Sequence, residues 1–115
     1  MIEYEKLKKA EEELIEKKQT YKQMCFDYLN SRLEKRGMLG KTVTYKKTGE
    51  RFVIRVEPGT FKPFCYKCYP IKKNGEISMK AKSIYELIYF QYENAEKVLK
   101  DNFEEVKIWT TPNSH

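Results

Sequence analysis

The sequence predicts an α+β fold, with a long N-terminal helix, a small twisted antiparallel sheet or SH3-like barrel of four to five strands, and a second helix near the C-terminus. Three observations predict it. Residues 2–36 contain neither Gly nor Pro, apolar residues alternate with period two from Lys41, and a helical period returns after Ser83. With 115 residues, we expect a single domain over 1–115 with one modest core.

The long helix is predicted over residues 1–36, with its end at Gly37. One apolar seam recurs every seven residues: Leu7, Leu14, Tyr21 and Tyr28. The companion positions are mixed: Ala10, Lys17, Met24 and Ser31. At about 1.5 Å per residue the helix would reach roughly 50 Å, so its N-terminal half should extend past a compact body. That half is either a solvated face or the contact of a possible homodimer through residues 2–36.

Basic antiparallel strands are predicted over 41–82. One hairpin turns at Gly49, and Pro58-Gly59 predicts a type II turn after it. A two-residue turn at Asn74-Gly75 would pair Lys73 with Glu76, and so put Ile77 on the buried face. Lys67, Tyr69, Ile71 and Lys73 would then share the opposite face with Ser78, Lys80 and Lys82. A proline at position 70 indicates an edge strand or a bulge, which could shift this register by one residue.

A second helix is predicted over 84–100, because Ser83 and Glu86 have the spacing of a capping box. Tyr85, Tyr89 and Tyr92 form a second stripe on it, which we interpret as core, with an exposed contact surface as the alternative. A short strand is predicted over 105–110, because Val106, Ile108 and Trp109 are apolar or β-forming.

The positive charge is concentrated in the strand region. Residues 1–36 hold 9 basic and 8 acidic groups, residues 37–82 hold 11 and 3, and residues 83–115 hold 3 and 6. Cations with an interleaved aromatic suit a phosphate backbone or an acidic protein surface, although lysines on a sheet also serve solubility alone. The candidate partner-binding residues are Lys46, Arg51, Arg55, Lys67, Tyr69, Lys73, Lys80 and Lys82.

Cys65 and Cys68 have the spacing of half a zinc site, and zinc needs four such ligands. The chain offers only Cys25 and the terminal His115 beyond them, and residues three apart on a strand point to opposite faces. We therefore expect structural cysteines and no cofactor, with a metal shared across a dimer or a redox pair as alternatives.

Catalytic chemistry and a membrane location are not expected from these residues. The single imidazole is at the last residue, the two aspartates lie in helical segments, and the five glycines are scattered through turns. No stretch approaches the roughly 20 apolar residues that cross a bilayer, and the first residues lack the apolar run of a signal peptide. Together with an odd number of cysteines, this predicts a non-enzymatic, cytoplasmic protein.

The layout resembles small accessory proteins encoded by phages and prophages of low-GC bacteria, including the anti-CRISPR type of anti-defence protein. A Lys/Glu-rich helix running into residues 37–45, tight hairpins and a Lys/Tyr/Ile-rich second helix carry the resemblance. It implies steric inhibition of a host defence nuclease or its nucleic-acid channel in the bacterial cytoplasm, and no shared catalytic residues. Many such inhibitors mimic DNA with acidic surfaces. The basic charge of this chain favours an acidic protein patch or a guide-RNA complex instead.

Three functions follow from these observations. The first is a binding module for a protein, such as a nuclease or nucleoprotein complex, that acts through the basic sheet and the projecting helix. The second is direct binding of single-stranded nucleic acid or RNA by the same sheet. The third is a helix-mediated dimer whose sheet has no partner.

Overall fold

The computed structural model describes residues 4–106, and the fold is α+β as predicted. Helix α1 spans Tyr4–Lys35 and leads into a three-stranded antiparallel sheet. Two short helices follow, separated by a single 3-10 turn. In chain order, these strands and helices are β1 (Thr42–Thr44), β2 (Arg51–Pro58), β3 (Phe64–Pro70), α2 (Tyr85–Ile88), the 3-10 turn (Tyr92–Asn94) and α3 (Ala95–Asn102).

Helix α1 ends where the sequence predicts. Gly37 has a φ of 70°, its amide donates to the carbonyl of Glu34, and the amide of Met38 donates to the carbonyl of Leu33. These two bonds form a Schellman motif, which needs a residue in the left-handed region and so favours glycine. Met38 and Leu33 are both fully buried, which adds the apolar contact that accompanies this motif. The chain therefore turns sharply from the helix into the sheet.

The two halves of α1 have different surroundings. Every residue from Tyr4 to Met24 is exposed, whereas Cys25, Leu29 and Leu33 are buried against the body. The longest dimension is consequently 68 Å and the radius of gyration 18.7 Å, against about 13 Å for a compact chain of this length. We name residues 4–24 the projecting segment and residues 25–35 the docked segment.

The sheet has the order β1-β2-β3 and an unbroken register between β2 and β3. Phe52 and Ile54 of β2 pair with Pro70 and Cys68, and these residues form the face that the docked segment, α2 and α3 cover. Tyr66 of the same face donates a hydrogen bond of 2.8 Å to the carbonyl oxygen of Leu29. The opposite face of the sheet, called the outer face below, carries Arg51, Val53, Arg55 and Glu57 of β2 beside Lys67 and Tyr69 of β3.

The predicted fourth strand is absent among the described residues, because the turn that leads into it differs from the prediction. The amide of Lys72 donates to the carbonyl of Glu76 across three residues, with Gly75 at a φ of 86°. This turn shifts the pairing by one residue, so that Ile71 faces Ile77. Beyond it, the Ser78 hydroxyl bonds to the backbone of Lys80, which competes with a regular ladder.

Among residues 4–106, two isolated bridges join this segment to the rest of the sheet. They pair Ile71 with Ile77 and Cys68 with Lys82. Between these two bridges, residues 69–70 of one segment therefore lie opposite residues 78–81 of the other. The extra residues form a bulge, and Met79 at its tip is 95% exposed. In the part of the chain that the structure describes, the sheet therefore has three strands instead of four to five, and the register predicted for residues 76–82 is wrong.

The turn between β2 and β3 also differs from the prediction. A type II turn would hold Gly59 at positive φ, but the glycines with positive φ are at positions 37, 40, 49 and 75. Close packing requires glycine at 59 instead, because a Cβ there would lie 2.9 Å from the carbonyl oxygen of Lys62.

The helix predicted over 84–100 is interrupted after α2. Phe90 lies 8% exposed in the core with its ring stacked on Tyr66, and Tyr92 bonds to the backbone of Phe64. These contacts outweigh the modest helix propensity of aromatic residues and divide the helix. Ser83 makes no capping bond, since the N-cap of α2 is Ile84.

After α3, Phe103 bridges Tyr45 beside β1. Of the short strand predicted over 105–110, residues 105 and 106 are not in a strand. Residues 107–110 lie outside the described part of the chain.

Candidate functional site

The outer face of the sheet brings together four of the eight predicted partner-binding residues. Arg55 pairs directly with Lys67, Tyr69 pairs with Val53, and Arg51 pairs with Thr44 of β1. Residues paired across strands share a face, so Arg51, Arg55, Lys67 and Tyr69 lie together. We name the central group the sheet patch: Val53, Arg55, Glu57, Lys67 and Tyr69.

The sheet patch is held by contacts between its own side chains. The guanidinium carbon of Arg55 lies 4.9 Å from the centre of the Tyr69 ring, a cation–π contact. The Tyr69 hydroxyl donates a hydrogen bond to the Glu57 carboxylate, and this bond raises the pKa of Tyr69. Arg55 and Lys67 are like charges placed directly across the strands, which costs stability unless a partner supplies negative charge. The patch is therefore ordered before any partner binds.

Tyr69 differs from its predicted role. The sequence predicts an exposed aromatic between the cations, but Tyr69 is only 9% exposed and lies beneath Arg55. Its ring supports the guanidinium and has little face left for another molecule.

A hollow of about 530 Å³ opens beside Arg55 on this side of the molecule. Leu39 and Ile77 line it with Val53 and Glu57, and each of the two is about 40% exposed. The sequence reasoning did not select Leu39, and it put Ile77 on the buried face because of the two-residue turn. The hollow also borders Asn30 of the docked segment, so it extends from the outer face at Arg55 to helix α1.

The other predicted cations lie elsewhere. The Lys46 ammonium donates to the carbonyl of Lys100 at 3.0 Å, and the Lys82 ammonium pairs with Glu50 at 2.5 Å. Lys82 bridges Cys68, a residue of the covered face, so it does not share the face of Lys67 as predicted, but both lysines line one hollow of about 310 Å³. Lys73 is exposed in the turn before Gly75, and Lys80 is exposed in the bulge. The predicted set of eight is therefore divided.

A second candidate surface consists of exposed aromatic rings, which we name the aromatic ridge: Phe61, Tyr85 and Tyr89. The ring centres of Tyr85 and Tyr89 are 4.6 Å apart, and those of Phe61 and Tyr89 are 5.4 Å apart. They are 68%, 71% and 51% exposed in chain order, so the interpretation of Tyr85 and Tyr89 as core is wrong. The wide apolar stripe of this segment in the sequence could have indicated that Tyr85 and Tyr89 are exposed, because one short helix cannot bury both of its sides.

Lys62 fixes the chain behind the aromatic ridge. Its ammonium donates to the carbonyl of Ile88, the last residue of α2, at 3.2 Å and to that of Phe90, two residues beyond the helix. It also lies 4.5 Å from the centre of the Phe90 ring. A cation at this end satisfies carbonyls that have no partner within the helix. Burial lowers the pKa of Lys62.

The two cysteines of the CxxC pair alternate on β3 as the sequence predicts, with Cys65 opposite Glu57 and Cys68 opposite Ile54. Both are buried. Burial raises the pKa of Cys65 and raises that of Cys68 to about 12, which disfavours the thiolate that a redox nucleophile needs. Within residues 4–106, no three His, Cys, Asp or Glu side chains are grouped as a metal ion would require.

Helices of the described chain are too short or too polar to cross a membrane. No protein-family model, no curated protein sequence and no solved structure matches the chain.

Proposed function

We propose that this protein is a non-enzymatic binding module that recognises an acidic protein surface through the outer face of its sheet. The observation that carries the proposal is the sheet patch, in which Arg55 is fixed over Tyr69 and faces Lys67. An arginine held in place loses little conformational freedom on binding, and arginine is among the residues that dominate protein interfaces.

The apolar hollow supports a protein partner. Leu39 and Ile77 give the hollow an exposed apolar part, and Arg55, which pairs with Lys67 across the strands, supplies positive charge at its side. An apolar centre with charge at the rim is the usual composition of a protein–protein interface. A carboxylate of the partner near Arg55 and Lys67 would also relieve the repulsion between these two cations.

The same geometry is less suited to nucleic acid. Bases of single strands stack on exposed aromatic rings, and Tyr69 lies beneath Arg55. Lys46 and Lys82 are engaged in internal contacts, and Glu57 places a negative charge within the patch. Few phosphates could therefore be neutralised at once, and affinity for nucleic acid rests largely on that neutralisation.

The narrower proposal is that the partner is a host defence nuclease or its nucleoprotein complex, inhibited by steric occlusion in the bacterial cytoplasm. It rests on the resemblance to phage-encoded anti-defence proteins. If it holds, expressing the protein should raise the plating efficiency of a phage on bacteria whose CRISPR system targets that phage. The Arg55→Glu/Lys67→Glu variant should lose this protection.

Affinity capture from a bacterial lysate, with and without nuclease treatment, tests the broader proposal. Wild-type protein should retain a protein partner after nuclease treatment, and Arg55→Glu/Lys67→Glu should lose it. Lys100→Glu is the matched control, because this exposed lysine lies on α3 across the sheet from the patch. Circular dichroism should show that both variants remain folded.

Two results would contradict the proposal. Retention that ends once nucleic acid is digested would indicate direct nucleic-acid binding, as would an affinity that falls log-linearly and steeply with salt. Equal retention by Arg55→Glu/Lys67→Glu and Lys100→Glu would remove the sheet patch from the contact.

A further inference from the structure

We propose that the projecting segment of α1 pairs antiparallel with the same segment of a second copy, forming a short two-stranded coiled coil. This inference is independent of the sheet patch, which lies on a different part of the molecule. It rests on the exposure of the segment, the positions of its apolar residues, and the charges beside them.

The projecting segment presents an uncovered apolar stripe. Leu7, Leu14, Tyr21 and Met24 are each more than half exposed. At 100° per residue they fall along one side of α1, together with Ala10 and Lys17. An isolated helix of this length is marginal in water, because most helical stability in proteins comes from packing of such a face. A second helix would supply that packing over about 30 Å.

The charges beside the stripe are complementary to a second copy. Glu11 and Lys18 flank it on one side, at equivalent positions of successive heptads, and Glu13 flanks it on the other. In an antiparallel pair, Glu11 of each copy lies beside Lys18 of the other, which gives two symmetric ion pairs. A parallel pair would match Lys6 with Glu11 and Glu13 with Lys18, so charge alone allows both orientations.

The residues within the stripe decide the orientation. A parallel pair would place Lys17 against its own copy and leave a gap between two Ala10 side chains. With a two-fold axis midway between positions 14 and 17, an antiparallel pair sets Leu14 against Lys17, Ala10 against Tyr21, and Leu7 against Met24. The Tyr21 ring then fills the space beside Ala10, and the Lys17 stem covers Leu14 while its ammonium reaches water.

The antiparallel arrangement also covers exposed surface near the body. Leu7 of one copy lies beside Met24 of the other, next to Tyr21. The Tyr21 ring lines a hollow of about 330 Å³ with Phe61 and Tyr89 of the aromatic ridge. The tip of each helix would thus end at the ridge of its partner. This continuity joins the stripe and the ridge, so that one contact would cover both.

Sedimentation equilibrium of the full chain tests the pairing. Wild-type protein should show a reversible dimer. Leu14→Lys should weaken it more than about a hundredfold, since two apolar contacts are lost and two charges inserted. Glu12→Lys is the control, because Glu12 points away from the stripe and should leave the dimer unchanged. Leu14 is outside the core, so folding should be preserved in all variants.

A charge exchange tests the orientation. Glu11→Lys and Lys18→Glu should each weaken the dimer by about tenfold, and the double variant should restore it, because the antiparallel pair recreates both ion pairs with reversed sign. In a parallel pair the double variant would instead set a new lysine beside Lys6 and a new glutamate beside Glu13. These like charges would make it weaker than either single variant. A monomer at every concentration, a dimer that survives Leu14→Lys, or a double variant that fails to recover would each overturn the proposal.

Discussion

The docked and projecting segments belong to one unbroken helix, yet different forces stabilise them. The docked segment buries Leu29 and Leu33 completely and accepts a hydrogen bond from Tyr66. The projecting segment has no buried residue and retains helical conformation with only local pairs such as the hydrogen bond from Thr20 to the carbonyl of Glu16. The projecting segment is rich in the strong helix formers Glu, Lys and Leu, whereas the docked segment contains weaker ones such as Asp27, Asn30 and Ser31 and therefore depends more on tertiary contact.

Folding stability and contacts with other molecules therefore depend on different segments of α1. A change in the docked segment should act on folding, whereas a change in the projecting segment should leave the folded body intact and act on whatever contacts the helix.

The largest effect should come from shortening one buried leucine. Leu29→Ala removes a fully buried side chain beneath Tyr66, so the free energy of unfolding should fall by about 3 kcal/mol. Leu14→Ala is the matched change in the projecting segment and should alter the monomer by no more than about 0.5 kcal/mol. Urea unfolding monitored by circular dichroism compares the two, and equal losses would mean that the projecting segment is packed.

Alkaline pH should lower the free energy of unfolding through Cys68, which lies on the sheet face that the docked segment covers. The Cys68 thiol ionises near its ordinary pKa of 9.0 when unfolded but only at about 12 in the fold, because burial disfavours the thiolate. Its contribution is therefore complete below pH 9 and is lost as the pH rises towards 12, by roughly 1.4 kcal/mol for each pH unit. Unfolding free energies measured between pH 8 and 11 should decline less steeply for Cys68→Ala. The same slope for both proteins would contradict this.

The smallest effect should come from the ion pair that joins the docked segment to α3. Arg32 lies 2.6 Å from the Glu96 carboxylate and Lys35 lies 3.3 Å from it. Both cations lower the pKa of Glu96, which leaves the pair intact at neutral pH and weakens it on acidification. Arg32→Ala should lower the urea midpoint by less than Leu29→Ala does, since the pair is partly solvated. Lys9→Ala, in the projecting segment, should leave the midpoint unchanged.

Local signals accounted for the elements that were predicted correctly. The absence of Gly and Pro before position 37 predicted α1, and Gly37 predicted its end. The alternation of Phe52, Ile54 and Val56 predicted the covered face of β2. Where prediction failed, competing contacts decided the outcome. Asn74-Gly75 is compatible with turns of two or three residues, and the longer one reversed the face of Ile77.

The sequence predicts part of the sheet patch, because the faces of its strands follow from local alternation. Period-two alternation assigns Arg55 to a face of β2 and Lys67 to a face of β3 from the sequence alone. The register between the strands then places them opposite each other, and the stacking of Arg55 on Tyr69 is a tertiary contact. A bulge, which sequence periodicity does not reveal, pairs Lys82 with Cys68, so that Lys82 lies on another face than Lys67 while both line one hollow.

The sequence by itself determined the fold class, the length of α1, the concentration of positive charge in the strand region and the alternation of the two cysteines. These properties depend on residues close together in the chain. The tertiary structure alone decided which cations share a surface, that Tyr85 and Tyr89 are exposed beside Phe61, and where α1 leaves the body. Each of these depends on packing between distant segments, whose energies exceed the local preferences on which sequence reasoning relies.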